Sequence, residues 1–330
     1  MSSRSFTVKI LPSGVGFEAP EGLDLLRSAR LAGYWLPFEC GWGGCGTCKV
    51  TLLDGEVEVL FPEAPAITPR DVRRRRILAC QTAPRGAVVI EALVSDAPPE
   101  DLTVEQYEAR VRENHQLAPG IHLLVLELDR PASFLPGQYA LVAAGSGLRR
   151  AYSMANLPGS SIVEFVIRRY PQGRVSQILT SLRKGEELSL ELPYGRAYLR
   201  KTDRPIVMVA GGTGIAPVLA MVQSWGLWEE PPPLWVFYGA RTPSDLVLRK
   251  RLEEALQKGP GRLVLTVDQG EPGWAGEVGL LPGVVERWLP QSWEDYVWYV
   301  AGPPPMVRAM KALLEREGVS IDRVRYDSFG

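Results

Sequence analysis

Four cysteines constrain this chain more than any other feature. Three fall in one short run, Cys40-Gly-Trp-Gly-Gly-Cys45-Gly-Thr-Cys48, and the fourth is Cys80. C-x4-C-x2-C followed by a distant cysteine is the spacing with which four thiolates hold a 2Fe-2S cluster. The glycines at 41, 43, 44 and 46 suit such a loop, because wrapping a small anionic cluster needs positive φ angles and backbone N–H groups turned toward sulfur. The other uses of cysteine fit less well. Structural zinc favours paired C-x2-C knuckles, and there is one such pair here. Disulfides need an oxidising compartment, yet no secretory leader is read at the start of the sequence and the cysteines follow a cluster pattern. A Rieske centre needs histidines beside its cysteines, whereas His115 and His122 lie far downstream.

A chain of 330 residues is long enough for two or three domains with real cores. Its net charge of -1 offers no bulk attraction to nucleic acid or to a membrane surface. No apolar run approaches the roughly 20 residues of a membrane span. With every cysteine assigned to one cluster, the cytoplasm is the expected location.

The hydrophobic pattern changes character along the chain. Residues 6–11 and 15–19 flank a Pro-Ser-Gly turn and predict a hairpin; residues 23–32 have helical spacing and stop at Gly33. Residues 49–53 and 56–60 predict a second hairpin around Asp54-Gly55, and residues 88–93 a closing strand. This is a small α+β domain over residues 1–95. A polar, proline-rich stretch at 96–106 predicts a semi-rigid linker. Short apolar runs at 122–128, 138–142, 162–168 and 187–192 predict an antiparallel barrel over 107–200. From residue 201 to 330 strands and helices alternate: strand 206–210, a glycine turn and helix, strand 234–238, helix 244–258, and strands 263–267 and 297–301. That grammar predicts a parallel α/β sheet that can bind a nucleotide. The loop Gly211-Gly212-Thr213-Gly214-Ile-Ala-Pro217 follows a strand and opens a helix, the context a phosphate-binding turn requires.

Several motifs carry a resemblance to a known family. Arg150-Ala-Tyr152-Ser153 resembles the R-x-Y-S signature of the ferredoxin-NADP reductase superfamily, and Gly173-Arg-Val175-Ser176 its G-x-x-S motif at a helix start. GGTGIAP resembles that superfamily's pyridine-nucleotide loop. Gly302-Pro303-Pro-Pro-Met306 resembles its C-G-P-P-x-M loop, with Ala301 where the family carries cysteine. Asp327 and Phe329 match the acidic residue, spacer and aromatic with which related chains end. With the plant-type ferredoxin spacing and its β-grasp shape, these motifs span nearly the whole chain. Together they resemble NAD(P)H-dependent reductases of bacterial phenol, toluene, methane and benzoate oxygenases, and also the CDP-6-deoxyglucoseen reductase of deoxysugar dehydration.

The resemblance implies a 2Fe-2S cluster on Cys40, Cys45, Cys48 and Cys80, and FAD on Arg150, Tyr152, Ser153, Gly173, Val175 and Ser176. It further implies NADH, with NADPH as the alternative, on Gly211, Gly212, Thr213, Gly214, Gly302 and Pro303. Ser153, Asp327 and Phe329 are expected at the reacting flavin as catalytic residues, Phe329 covering one ring face. The implied activity takes hydride from NADH and releases single electrons to an acceptor protein, an oxygenase or hydroxylase component. A reductase serving a dehydrase is the neighbouring reading; a ferredoxin fused to a structural barrel is the non-enzymatic one.

Two basic features stay open between a specific and a generic role. The run Arg73-Arg-Arg-Arg76 reads as a docking patch for an acidic partner, or as a solvated face balanced by Glu56, Glu58, Glu63 and Asp71. Arg241 reads as a 2′-phosphate contact or as an adenine-stacking side chain.

Overall fold

The computed structural model describes residues 4–38, 41–94, 103–145, 148–290 and 292–329. Most of the expected linker, and the cluster residue Cys40, lie outside the described residues. The chain forms two compact units, Met1–Val104 and Glu105–Gly330.

The first unit contains β1 (Ser5–Leu11), β2 (Gly16–Pro20), β3 (Lys49–Asp54), β4 (Val57–Val59), β5 (Arg76–Leu78), β6 (Thr82–Pro84) and β7 (Val88–Glu91). Two short helices, α1 (Leu25–Leu31) and α2 (Pro69–Arg73), complete it. Its main sheet runs β2-β1-β7-β3-β5, with β1 and β7 parallel. Helix α1 begins at Asp24, whose carboxylate accepts the Arg27 N–H at 2.9 Å, and it buries Leu25, Leu26 and Ala29 in the unit's core. Strands at 49–54 and 57–59 exist, but they do not form the expected hairpin. Both edges of β3 are taken, by β7 and by β5, so β4 pairs with β6 in a separate two-stranded sheet. Gly55, at φ 93°, redirects the chain: a Cβ there would lie 2.3 Å from the Ala87 carbonyl oxygen.

The second unit opens with β8 (Glu105–Ala118), β9 (Ile121–Leu128), β10 (Tyr139–Ala143), β11 (Arg149–Ser153), β12 (Ile162–Arg168) and β13 (Glu187–Tyr194). They pair antiparallel in the order β11-β10-β13-β8-β9-β12, and a bridge from Met154 to Phe165 links the two ends, so the sheet curls into the expected barrel. Helix α3 (Arg174–Ser181) packs on β12 and β9.

The rest of the unit is a parallel sheet of β14 (Ile206–Gly211), β15 (Leu234–Ala240), β16 (Gly261–Val267), β17 (Glu277–Val278), β18 (Val297–Gly302) and β19 (Val324–Ser328), ordered β17-β16-β15-β14-β18-β19. Its helices are α4 (Ile215–Trp225), α5 (Arg249–Leu256), α6 (Leu281–Trp288) and α7 (Pro304–Arg316). Strand order reverses between β14 and β18, which leaves a crevice at their carboxyl ends where a ligand can sit. The helix expected over 244–258 begins only at Arg249. Leu248 is left-handed at φ 57°, and the Tyr238 hydroxyl donates to the Val247 carbonyl at 3.2 Å, occupying an acceptor that a longer helix would use.

Helix α2 is held by a reciprocal cap. The Asp71 N–H donates to Thr68 Oγ1 at 3.2 Å, and the Thr68 N–H donates to Asp71 Oδ2 at 3.1 Å. Thr68→Ala removes the acceptor and is expected to cost the first unit about 1 kcal/mol. Chemical denaturation of that unit measures it; an unchanged midpoint would show that the cap is redundant with packing.

Candidate functional site

The cluster loop is built from glycine and from short backbone ties. Gly41, Gly43 and Gly46 all adopt positive φ, at 67°, 97° and 78°. The Gly43 carbonyl accepts the Ala66 N–H at 3.2 Å and the Cys48 carbonyl accepts the Ala79 N–H at 3.0 Å, which brings the segment carrying Cys80 beside the loop. Cys48 and Cys80 are buried with their sulfurs 3.2 Å apart. That is too long for a disulfide at about 2.05 Å. It is near the roughly 3.7 Å that separates two corners of a tetrahedron whose metal–sulfur bonds are about 2.3 Å. The hydrogen bond with Cys80 holds the Cys48 thiol below its ordinary range against the opposing effect of burial, as a thiolate ligand requires. Cys48 and Cys80 therefore fit as two of the cluster's thiolate ligands.

Cys45 is exposed, and its sulfur accepts the Thr47 N–H at 3.4 Å. Among the described residues, no three Cys, His, Asp or Glu side chains converge. Cys48 and Cys80 are thus brought together, Cys45 is exposed and near enough that its charge opposes ionisation of Cys48, and Cys40 lies outside the described residues.

The proposed flavin residues line the barrel at the ends of β11 and α3. Arg150 and Tyr152 are half-buried and Ser153 is buried. The Tyr152 ring packs edge-on against Phe165, centroids 6.3 Å apart. Burial pushes its phenol far above the usual range, with Arg150 opposing, so Tyr152 is a neutral aromatic surface and not a proton donor to a base. Gly173 caps α3 without a side chain, and the first-turn amides of Arg174, Val175 and Ser176 have no acceptor inside the helix. Free amides of this kind can hold an anion such as a pyrophosphate. Ser176 itself is satisfied internally: its hydroxyl donates to the Gly173 carbonyl at 2.9 Å and accepts the Tyr170 N–H at 3.2 Å. It shapes the turn, while the amides offer the donors.

At the crevice, two glycines permit contacts that side chains would forbid. A Cβ on Gly211 would meet the Met306 sulfur at 2.5 Å, and one on Gly214 would meet the Ala301 carbonyl oxygen at 2.1 Å. Gly212 is different: it needs φ +55°, and nothing lies within 4 Å of its missing Cβ. That open backbone, with Thr213 half-buried beside it, gives phosphate groups close access. Parallel pairing places Asp327 opposite Ala301 and Ser328 opposite Gly302. The Phe329 N–H donates to the Gly302 carbonyl at 2.9 Å, and the Ser153 hydroxyl donates to Asp327 Oδ2 at 3.0 Å. Ser153, Gly302, Asp327 and Phe329, far apart in sequence, therefore meet. Pro303 caps α7 at the same loop.

Sequence reasoning missed Asn114. Its amide donates to the Leu179 and Leu182 carbonyls at 3.1 and 2.9 Å and fixes the carboxyl end of α3, while its oxygen faces His122 Nδ1 at 3.2 Å. It also missed Glu191, buried and ion-paired with Arg149 at 2.6 Å, which anchors the start of β11. Both are contacts across distant strands that no local pattern announces.

Comparison with known proteins gives the same three parts. The 2Fe-2S iron-sulfur cluster binding domain matches residues 8–85, the oxidoreductase FAD-binding domain 108–198, and the oxidoreductase NAD-binding domain 208–312. The chain is 37% identical over 315 residues to the ferredoxin–NAD(P)(+) reductase CarAd of Metapseudomonas resinovorans, covering 93% of this chain and 95% of that protein. It is 35% identical over 330 residues to the ferredoxin–NAD(+) reductase component of an alkene monooxygenase system from Xanthobacter autotrophicus, covering 97% and 99%. Among solved structures it resembles the ferredoxin reductase in carbazole 1,9a-dioxygenase, with a TM-score of 0.90, 33% identity and full coverage of both chains.

The two kinds of glycine predict two kinds of failure. Gly214→Ala forces the α4 turn away from the 301–303 loop and should weaken NADH binding more than tenfold while FAD is retained. Gly212→Ala meets no atom and should show only a left-handed strain of about 1–2 kcal/mol. Flavin bleaching titrated with NADH reads both; equal losses would contradict the assignment.

Proposed function

Because the chain belongs to the family of NAD(P)H-dependent ferredoxin reductases that join a 2Fe-2S domain to FAD- and NAD-binding domains, we propose that it is the electron-transfer component of an oxygenase or hydroxylase system and draws on NADH. It is an iron–sulfur flavoprotein oxidoreductase. When bound, FAD takes a hydride from the nicotinamide and the 2Fe-2S cluster passes electrons on singly, so the redox chemistry belongs to the cofactors. The chain's own task is to hold and orient them.

One observation carries this reading: the hydrogen bond between Ser153 and Asp327 across the barrel and the nucleotide sheet. In this account Tyr152 lies against the flavin ring, the α3 amides and Arg150 take its phosphates, and the Gly211–Gly214 turn takes those of the nicotinamide nucleotide. Asp327 holds the Ser153 hydroxyl in one orientation beside the reacting edge, and Phe329, tied to Gly302, shields that edge from water. Cys40, Cys45, Cys48 and Cys80 hold the cluster. Ala301 in place of cysteine leaves this loop to act through backbone alone.

NADH is preferred here on the likeness to oxygenase reductases, and Arg241 is the residue at which the two nucleotides would be distinguished. Its side chain is exposed just beyond β15, and its carbonyl is fixed by the Gln269 N–H at 3.0 Å. A guanidinium there can stack on adenine or pair with a 2′-phosphate. The kcat/KM ratio for the two nucleotides tests this, and a tenfold preference for NADPH would reverse it.

Ser153→Ala should slow flavin reduction by NADH on the order of 100-fold with FAD still bound, since misplacement of a reacting group costs about that much. Cys80→Ser should abolish the cluster's absorbance and leave NADH-driven flavin reduction near the parent rate. Loss of flavin reduction in the Cys80 variant would contradict the separation of the two sites.

A further inference from the structure

The structure redraws the membership of the arginine run. Arg76 points back to Asp71 at 3.8 Å, and the same carboxylate accepts Lys49 Nζ at 2.9 Å, so Arg76 belongs to the cap that holds α2. Arg70 takes its place. Within α2 and its C-cap, Arg70, Arg73 and Arg74 stand at i, i+3 and i+4, hence on one helical face. All three are exposed, and no described ion pair joins any of them to a carboxylate. Of the carboxylates expected to balance the run, Glu58 pairs with Arg85 at 2.8 Å, and neither Glu56 nor Glu63 is in a described ion pair with it. Arg75 follows in a left-handed conformation at φ 53°, also exposed, with its guanidinium reaching the Leu53 carbonyl at 3.3 Å. Val72, 63% exposed, sits among these charges.

The helix that carries this face is anchored to the cluster loop on its buried side. Lys49 joins Asp71 of α2 to the loop, where its side chain lies 3.3 Å from the position a Cβ on Gly46 would take. The segment leading into α2 is tied to Gly43 through Ala66. From Arg76 the chain reaches Cys80 in four residues, at most about 14 Å. In a chain of net charge -1, four exposed cations on and just after a helix anchored to the cluster loop form a concentrated positive patch.

We propose that Arg70, Arg73, Arg74 and Arg75 are the docking face for an acidic electron acceptor, oriented by charge so that its redox centre meets the 2Fe-2S loop. This rests on the electron-transfer function proposed above. Charge steering acts on encounter and is screened as the Debye length falls from about 10 Å at 0.1 M salt to 3 Å at 1 M.

The test uses the full holoprotein and three acceptors: cytochrome b5 as an acidic protein probe, cytochrome c as a basic one, and ferricyanide as a small anion that reports NADH-driven flavin reduction. At low salt, R70Q/R73Q/R74Q/R75Q should reduce cytochrome b5 at least tenfold more slowly than the parent and with a flattened salt dependence. Its ferricyanide rate should be unchanged and its cytochrome c rate not lowered. The corresponding four-lysine variant, which keeps the charge, should retain the parent's cytochrome b5 rate. Equal cytochrome b5 rates in parent and glutamine variant, or equal losses toward both cytochromes, would overturn the docking face. So would retention of the parent alone on phosphatidylserine vesicles with equal cytochrome rates, which would reassign the patch to a lipid surface. Loss of ferricyanide reduction in the parent itself would instead refute the electron-transfer function.

Discussion

The hydrogen bond from Ser153 to Asp327 is the contact on which the function proposed for the second unit rests. It joins the end of a barrel strand to the last strand of the nucleotide sheet, residues separated by 174 positions. Everything around it serves to make that approach possible. β19 pairs in parallel with β18, which sets Asp327 opposite Ala301 and lets the Phe329 amide reach Gly302. Gly214 in turn permits the α4 turn to press against the Ala301 carbonyl. In the proposed function a ring bound along Tyr152 and a nucleotide bound along the glycine turn would thereby be led to one place, and orientation of this kind is the principal contribution a protein makes to hydride transfer between cofactors.

The iron–sulfur unit solves a different problem with similar means. A loop that must turn its amides inward cannot also bury side chains, so its stability comes from neighbours: the Ala66 and Ala79 amides on loop carbonyls, and Lys49 on the Asp71 cap of α2. The Asp71 carboxyl is held well below its ordinary range, first by the Thr68 hydroxyl and then by Lys49, so the anchor stays ionised. The same anchor, Asp71, holds the cationic helix to the loop.

Much of the fold was legible because it is written locally. A short apolar run marked Ile162–Arg168, and the change from short strands to alternating strand and helix near residue 201 marked the nucleotide sheet. Pairing was less legible. The Asp54-Gly55 turn suggested a hairpin, but the partners of β3 come from residues 76–78 and 88–91, so a long-range sheet overrode a local signal. Helix α5 fell short of its pattern because a buried tyrosine takes the carbonyl of Val247. At the site, the glycine turn and the cysteines could be read directly, whereas Ser153, Asp327 and Phe329 became a site only through family resemblance. Asn114 and Glu191 carried no signal at all, since each acts on an element more than 35 residues away in sequence.

The central claim is that one chain takes electrons in pairs at its second unit and hands them on singly from its first. Anaerobic titration with NADH, followed by absorbance and by electron paramagnetic resonance, tests this most directly. The account predicts uptake of roughly three electrons per chain, two on the flavin and one on the cluster, with the cluster's paramagnetic signal appearing as the flavin bleaches. Bleaching that stops at about two electrons, with no cluster signal, would contradict it.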